Sequence, residues 1–254
     1  HGPVTMNDAL KKPMLAVAEA LDFLMAAARP VTATETVATL EANGRVLAQD
    51  QTSMLDVPSA DNTKMDGYAV RAADCASGET TLAVSQRIPA GHVGQPLAGG
   101  QAARIFTGAM IPDGADAVVM QEQCEALASG QVVIRHAPKN GEWIRRAGED
   151  ITAGSVILPA GTRLRSQELG LAASVGLANV PVFRKLRVAV FFTGDELAMP
   201  GEPLAPGAIY NSNRFMLRAL LQSAGCECTD LGIVPDRLQA TRDALRQAAQ
   251  GHDL

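Results

Sequence analysis

Residues 61–70 read DNTKMDGYAV and place several reactive side chains within ten positions. Two acids, Asp61 and Asp66, flank an asparagine, and the second acid precedes Gly67 and a strand-like Tyr-Ala-Val. Carboxylates can hold a metal ion or exchange a proton, but an acid before glycine is also common in turns. On its own, this stretch is best interpreted as a turn that leads into a strand.

A second group of acids follows two predicted strands near the end of the chain. Thr193, Gly194, Asp195 and Glu196 follow the run LRVAVFF, and Asp236 follows LGIV. Because parallel strands end at the same edge of a sheet, these acids are expected to lie near one another. Carboxylates at such an edge can hold Mg²⁺. Helix capping by the same acids explains the spacing equally simply and is favoured by the spacing alone.

Further polar groups stand in predicted turns. Thr107-Gly108 precedes Pro112, and Gly148-Glu149-Asp150 forms an acidic loop. Turn formation and solvation account for both stretches. The sequence lacks a Walker glycine loop, GxGxxG after a strand, HExxH and GxSxG, so it offers no motif of a P-loop protein, dehydrogenase, metalloprotease or serine hydrolase.

The elements that must position these groups change in character along the chain. Apolar residues at intervals of three and four predict a helix over residues 14–28, ended by Arg29-Pro30. A second helix is expected from Thr34 to Asn43-Gly44, followed by a short strand, Arg-Val-Leu-Ala. A third helix is expected over residues 166–175.

Residues 53–148 alternate short runs of β-formers with glycine, proline and aspartate. This pattern predicts a β-rich module inserted in a helical domain. Its clearest predicted hairpin joins residues 117–120 to residues 131–134 across Ala128-Ser129-Gly130.

The last seventy residues follow a strand–helix–strand–helix pattern, with helices over 213–224 and 238–250. This order is typical of a parallel α/β sheet. Two strands and two helices cannot cover both faces of such a sheet, so the chain is expected to be a fragment of a longer protein.

Composition narrows the classes of partner. The chain has 22 Lys and Arg against 27 Asp and Glu, a net charge of −5, which does not favour binding to nucleic acid or an anionic membrane. No transmembrane segment or signal peptide is predicted, so a cytoplasmic location is expected. The four cysteines form no CxxC pair and are expected to be reduced and mostly buried.

Four motifs together resemble the molybdopterin molybdenumtransferase family, which includes MoeA and the gephyrin E domain. DNTKMDGYAV is similar to the family signature, RIFTGAMIPDGADAVVMQE to its R-I-x-T-G block, IRRAGEDITAG to its R-x-x-G-E-D-I block, and RVAVFFTGDEL to its strand ending in T-G-D-E-L. The motifs occur in the family order, and the resemblance extends over residues 8–254.

The resemblance implies a multidomain α+β and α/β fold. A composite helical domain would comprise residues 6–52 and 149–184, the inserted β-rich domain residues 53–148, and the first half of a parallel-sheet molybdopterin-binding domain residues 185–254. It also implies a homodimer in which the β-rich domain of one subunit faces the α/β domain of the other.

The resemblance further implies a reaction. Molybdate is inserted into the dithiolene of adenylated molybdopterin, with Mg²⁺-dependent release of AMP, and a molybdopterin adenylyltransferase would supply the substrate. The family's catalytic positions correspond to Asp66, Thr107, Asp150, Glu196 and Asp236. Of these, Asp66, Glu196 and Asp236 are expected near the metal, and cofactor-binding positions are expected at Thr193, Gly194, Asp195 and Asn213.

Three residues depart from the family pattern. Trp143 stands where asparagine is common, Asn211 where aspartate is usual, and Arg237 where a second aspartate often follows Asp236. The lost acid would lie beside the expected metal, so one potential Mg²⁺ ligand is absent there. The isolated fragment is expected to be inactive, and a non-catalytic dimeric scaffold or a pterin-binding module of the same fold remain alternatives.

Overall fold

The computed structural model describes residues 15–254, which form two compact units. One unit comprises residues 36–182, and the other comprises residues 15–35 with 183–254. The finer, threefold domain division that the sequence suggests stays a prediction. None of the helices in residues 15–254 is long and apolar enough to cross a membrane.

Helices in the described residues lie close to where periodicity predicts them, with one exception. They are α1 (Val17–Ala27), α2 (Ser166–Ser174), α3 (Ser212–Ser223) and α4 (Leu238–Ala249). The first begins later than predicted, and residue 14 lies outside the described residues. None of the residues of α1 is buried within this chain, although its apolar spacing predicts a packed face.

Sixteen short strands are described. They are β1 (Thr34–Ala38), β2 (Gln51–Thr52), β3 (Asn62–Thr63), β4 (Gly67–Val70), β5 (Thr80–Ile88), β6 (Gln101–Ile105), β7 (Ala117–Met120), β8 (Cys124–Ala126), β9 (Gln131–Ile134), β10 (Ile144–Arg145), β11 (Val156–Leu158), β12 (Asn179–Phe183), β13 (Arg187–Thr193), β14 (Leu197–Ala198), β15 (Ile209–Tyr210) and β16 (Glu227–Val234).

The predicted helix over residues 34–44 is wrong. Residues 34–38 form β1, which pairs with β12, and only a single 3-10 turn follows at Thr39–Glu41. Two threonines and a valine within five residues favour the extended state, and pairing with a distant strand overrides the weak helical pattern. The predicted stop is nevertheless present, since Gly44 has a positive φ of 76°.

The β-rich region contains a six-stranded sheet in the order β7-β4-β6-β5-β9-β8. Its two faces carry separate apolar clusters. One cluster includes Tyr68, Ala102 and Val119, and the other includes Ala69, Ile105 and Val118. Neighbouring residues of one strand thus point to opposite faces, as the pleat requires. Every residue of β4 is buried, and this strand lies between β7 and β6.

The predicted hairpin between residues 117–120 and 131–134 is wrong in one of its strands. The turn before Gly130 is present, but it joins β9 to β8, and β7 pairs with β4 instead. A 3-10 turn at Gln121–Gln123 separates β7 from β8. The hairpin partner of β9 is therefore β8, which the apolar pattern does not predict.

A third apolar cluster joins the two segments on either side of this sheet in the sequence. Leu47 packs in one cluster with Leu158, Leu164 and Val182. Only isolated bridges form over the predicted strand at residues 45–48, through Val46 and Leu47.

The second unit confirms the predicted parallel pairing of β13 with β16. On the other side of β13, Leu254 donates to the carbonyl of Arg187 (3.3 Å) and accepts from the N–H of Ala189 (2.9 Å). This alternation is the parallel ladder pattern. Asp253 supports it through two hydrogen bonds from Arg184, at 2.6 and 2.7 Å. The chain therefore forms parallel contacts on both sides of β13.

The cysteines are free, as expected, but their predicted burial is largely wrong. Only Cys75 is buried, whereas Cys124, Cys226 and Cys228 are partly exposed. Burial raises the pKa of Cys75 to about 11 and that of Cys124 to about 12.

Candidate functional site

Asp66 and Thr107 are brought together by the antiparallel pairing of β4 with β6. Gly67 lies opposite Ile105, so the start of β4 meets the end of β6. The Oδ1 atom of Asp66 accepts a hydrogen bond from the backbone N–H of Thr107 (2.8 Å) and another from its hydroxyl (2.7 Å). Sequence reasoning selected both residues, and the structure makes them direct partners.

These hydrogen bonds lower the pKa of Asp66 below its ordinary value, with the backbone N–H the larger cause. The charge of Arg104 acts in the same direction. Within residues 15–254, the second oxygen of Asp66, Oδ2, accepts no hydrogen bond. Asp66 is therefore an ionised carboxylate with one oriented oxygen and one oxygen free to contact a ligand.

Asp150 lies beside a cleft rather than against Asp66. Its carboxylate pairs with Arg145, and Glu149 pairs with Lys64 at 3.1 Å. Lys64 and Arg145 line a cleft of about 360 Å³ together with Thr107, whose hydroxyl contacts Asp66. The lining residues are Asn62, Thr63, Lys64, Thr107, Gly108 and Arg145. Each cation of this cleft has an acidic partner that holds it in place.

The two cleft cations were missed by the sequence argument, which followed the acids. A usable signal was present, because Arg145 stands three residues before Gly148 in the same loop as Glu149 and Asp150. Strand β10 carries Arg145 and pairs with β3, which leads into Lys64. The pairing of these two short strands therefore assembles the cleft.

Asp61 has a structural role in the turn that precedes β4. Its two oxygens accept from the N–H of Ala147 (2.9 Å) and from Nη1 of Arg146 (2.5 Å). The backbone hydrogen bond outweighs partial burial and, with Arg146, lowers the pKa of this carboxyl. Because both oxygens are occupied by the loop at residues 146–147, Asp61 acts as a structural tie.

Trp143, the first departure from the family pattern, holds an unusual backbone conformation beside the cleft. Among residues 15–254, it is the one non-glycine residue with a positive φ, at 56°. Asparagine tolerates this region better than a bulky side chain does, which explains why asparagine suits the position. The carbonyl of Trp143 accepts from the N–H of Lys64 at 2.9 Å, and its ring packs against the sheet cluster.

A second candidate site lies in the other unit, at the carboxyl ends of β13 and β16. Asp195 accepts a hydrogen bond from the backbone N–H of Asp236 (3.3 Å), so the two loops meet as predicted. Glu196 folds back over Gly194, where an added Cβ would lie only 2.7 Å from its carboxylate. Gly194 also has a φ of 143°. The backbone conformation therefore favours glycine here, whereas the flexible carboxylate of Glu196 can move away from an added Cβ.

This edge has the geometry of a ligand site in open α/β sheets. The chain passes from β13 to β16 on one side, and Leu254, which follows β16 and α4, contacts the other side of β13. Such topological switch points form crevices in which ligands bind. Thr193, Gly194 and Asp195 occupy this end of β13.

Helix capping, which the spacing alone favours, does not account for Asp236. Helix α4 has Arg237 at its N-cap and no side-chain capping bond, so Asp236 does not cap it. Asn211 caps α3 instead, accepting from the N–H of Arg214 at 3.2 Å. Its amide nitrogen is buried without a hydrogen-bond partner in the described chain. Asn213 is exposed in the first turn of α3.

The predicted metal residues do not form a ready cage. Within the described part of the chain, no three His, Cys, Asp or Glu side chains are grouped to hold a metal ion. Mg²⁺ often uses only one or two carboxylates, with waters and substrate phosphates as its other ligands. The free oxygen of Asp66 fits such an open arrangement.

Comparisons with known proteins find two family models that match this chain. Residues 15–176 match the family model described as "MoeA N-terminal region (domain I and II)", and residues 189–254 match one described as "Probable molybdopterin binding domain". The chain is 43% identical over 224 residues to a molybdopterin molybdenumtransferase of Haemophilus influenzae, covering 88% of this chain and 55% of that protein.

A molybdopterin molybdenumtransferase of Nostoc sp. is 43% identical over 228 residues, covering 87% of this chain and 52% of that protein. The chain thus spans about half the length of the curated relatives it matches. A crystal structure of the molybdopterin biosynthesis moeA protein from Pyrococcus horikoshii OT3 is similar, with 34% identity and a TM-score of 0.85. The alignment covers 93% of this chain and 64% of that one.

Proposed function

Because the chain belongs to the MoeA family, we propose that the protein acts in molybdenum cofactor biosynthesis as a molybdopterin molybdenumtransferase. It would insert molybdate into the dithiolene of adenylated molybdopterin and release AMP. The observation that carries this proposal is the meeting of Asp195 with Asp236 at the carboxyl ends of two parallel strands. This edge lies within the segment that matches the molybdopterin-binding model.

The α/β edge would bind the pterin and its phosphates. Thr193, Gly194 and Asp195 line the end of β13, where backbone donors and a carboxylate are available, and Asn213 would add an amide from α3. The folded-back carboxylate of Glu196 would face the same ligand.

The Asp66–Thr107 pair would act on the reacting end of the substrate. The hydrogen bonds from Thr107 fix Oδ1 of Asp66 and keep the carboxylate ionised. Oδ2 then remains available to hold a cation or to orient a water molecule. Asp150 would position Arg145 in the neighbouring cleft, where that guanidinium can contact an oxyanion.

Magnesium would be held through Asp66, Glu196 and Asp236, directly or through water. A bound Mg²⁺ would offset the negative charge that develops as the phosphoanhydride breaks. In the proposed homodimer, the β-rich domain of one subunit would face the α/β domain of its partner, so that both sets of acids reach one substrate. A separate adenylyltransferase would supply that substrate. The reaction would take place in the cytoplasm and would involve neither nucleic acid nor a membrane.

The test replaces Asp66 with asparagine and measures Mg²⁺-dependent AMP release from adenylated molybdopterin in the presence of molybdate. It uses a protein that spans the full length of the relatives, and the 254-residue chain alone is expected not to turn over. Loss of the charge should slow release by about 10- to 100-fold, as when a metal-site residue is removed.

Asp113→Asn is the matched control, because it removes the same charge from an exposed loop of the same unit. It should leave AMP release unchanged. Normal release from a folded Asp66→Asn variant would remove Asp66 from the mechanism. Tight pterin binding without AMP release by the unmodified protein would favour a binding module, and failure to restore molybdoenzyme activity in deficient cells would favour a scaffold.

A further inference from the structure

Two arginines share one phenylalanine ring on the face of the six-stranded sheet. Arg87 of β5 lies opposite Arg104 of β6, which in turn lies opposite Tyr68 of β4. The Cζ atoms of Arg87 and Arg104 lie 4.3 and 4.4 Å from the centroid of Phe106. A row of guanidinium groups and aromatic rings therefore crosses three strands.

A β-bulge is what places Arg87 in this row. Val84 pairs with Ala102, and Gln86 pairs with Ala103, so Ser85 has no opposite residue on β6. In a regular strand, each side chain changes face with each residue, and a shift of one reverses the faces. If β5 paired regularly from Val84 onward, Arg87 would lie opposite Ile105 and point to the opposite face from Arg104. Bulges that re-aim a side chain are common beside functional sites.

Neither arginine forms a salt bridge in the described chain, although Arg104 lies near enough to Asp66 to lower the pKa of that carboxyl. Within residues 15–254, Arg87 also makes no hydrogen bond. Arg104 uses three donors, toward the carbonyls of Gly67 and Ile105 and the side-chain oxygen of Gln121. Like charges directly opposite on neighbouring strands are unfavourable. The stacking on Phe106 offsets only part of that repulsion.

An open cleft of about 570 Å³ lies against the two arginines. Arg87 brings five unused N–H donors, Arg104 brings two, and Ser85 adds a hydroxyl at the bulge. A planar guanidinium binds two oxygens of one anion at once, which suits phosphate-like geometry. The sequence charge of −5 makes this local concentration of positive charge a feature of the site and not of the whole chain.

We propose that this cleft binds a multiply charged tetrahedral oxyanion, held bidentately by Arg87 and supported by Arg104. This site goes beyond the proposed transferase reaction, because neither the acids of the candidate functional site nor the α/β edge would hold the oxyanion. Inorganic phosphate, molybdate and the phosphate of AMP share this chemistry, and each is a separate arm of the test.

The experiment titrates each of the three anions into the chain by calorimetry at low ionic strength. Arg87→Gln should weaken binding by about tenfold or more, since it removes charge-assisted hydrogen bonds. Arg135→Gln is the charge-matched control, because Arg135 lies on the same sheet module but pairs with Glu79 and Glu125. That variant should bind like the original protein.

Arg87→Lys provides a second readout that keeps the charge and removes the planar fork. It should bind with intermediate affinity, and it tests the proposal even where Arg87→Gln does not fold. The anion with the highest affinity identifies the source of the ligand. The proposal would be overturned if the Arg87 variants bound the anions as tightly as the original protein, or if Arg135→Gln weakened binding as much as Arg87→Gln does. It would also be overturned if none of the three anions bound. No turnover is measured, so this outcome is independent of the transferase proposal.

Discussion

Gly67 is the point where the candidate site depends most directly on backbone packing. It follows Asp66 and lies in β4 between β6 and β7. A Cβ added here would lie 2.0 Å from the carbonyl oxygen of Val119, 2.9 Å from its carbonyl carbon and 3.1 Å from Cα of Met120. Gly67→Ala therefore forces a methyl group into the backbone of the neighbouring strand.

The size of the effect follows from that contact. Real Cβ atoms essentially never approach another atom below 3.0 Å, so the strands must separate by at least the missing 1.0 Å. The obstructing atoms belong to the backbone of β7 and cannot rotate away as a side chain would. Overpacking costs about 1–3 kcal/mol, and a clash with backbone belongs at the upper end. We expect Gly67→Ala to lower the free energy of unfolding by about 3 kcal/mol.

Urea unfolding followed by tryptophan fluorescence measures this cost. The chain has one tryptophan, Trp143, which packs on a cluster of the same sheet. Gly170→Ala is the matched control, because an added Cβ within α2 meets nothing within 4 Å. In a helix interior, that exchange should stabilise the protein by about 0.5–1 kcal/mol. Equal stability of Gly67→Ala and the original protein, or an equal loss in the control, would refute the steric argument.

Three further changes test other contacts. Thr107→Val should raise the pKa of Asp66 toward its ordinary value, since one of two hydrogen bonds to the carboxylate is lost, whereas Thr107→Ser should not; carboxyl titration by NMR measures this. Because the folded pKa is lowered, the stability linked to Asp66 is present above pH 3.8 and is lost as the pH falls through the folded pKa, so in the valine variant this stability should be smaller and its loss complete at a higher pH. Asp230→Ala should cost about 3 kcal/mol in urea unfolding, because it leaves the two arginines of α3 beside an empty, mostly buried site; a cost below about 1 kcal/mol would contradict this. At pH 8, iodoacetamide should label Cys226 well before Cys75, whose pKa is raised to about 11 by burial, and equal labelling rates by mass spectrometry would contradict that assignment.

The α/β segment was predicted closely because its signals are local. The apolar run that forms β13, the periodic helices α3 and α4, and the parallel pairing with β16 all agree with the sequence. A buried parallel strand and an amphipathic helix each carry their environment in their own residues. The meeting of Asp195 with Asp236 then followed from strand direction alone.

Strand partners in the β-rich region could not be predicted in the same way. The run at residues 117–120 is apolar whichever strand it pairs with, and only the assembled sheet places it beside β4. Residues 34–38 favour an extended state only weakly by themselves, and pairing with β12 decides it. Short strands gain most of their stability from cross-strand neighbours that are distant in sequence.

The sequence by itself determined the family, the order of the elements in the α/β segment and the acids at its strand ends. Only the tertiary structure decided that Thr107 orients Asp66, that Arg145 and Lys64 line the adjoining cleft, and that a bulge sets Arg87 beside Arg104. Residue type fixes which chemistry a side chain can perform. Register and twist fix which face it occupies and which groups it meets, because a shift of one residue reverses every side chain in a strand.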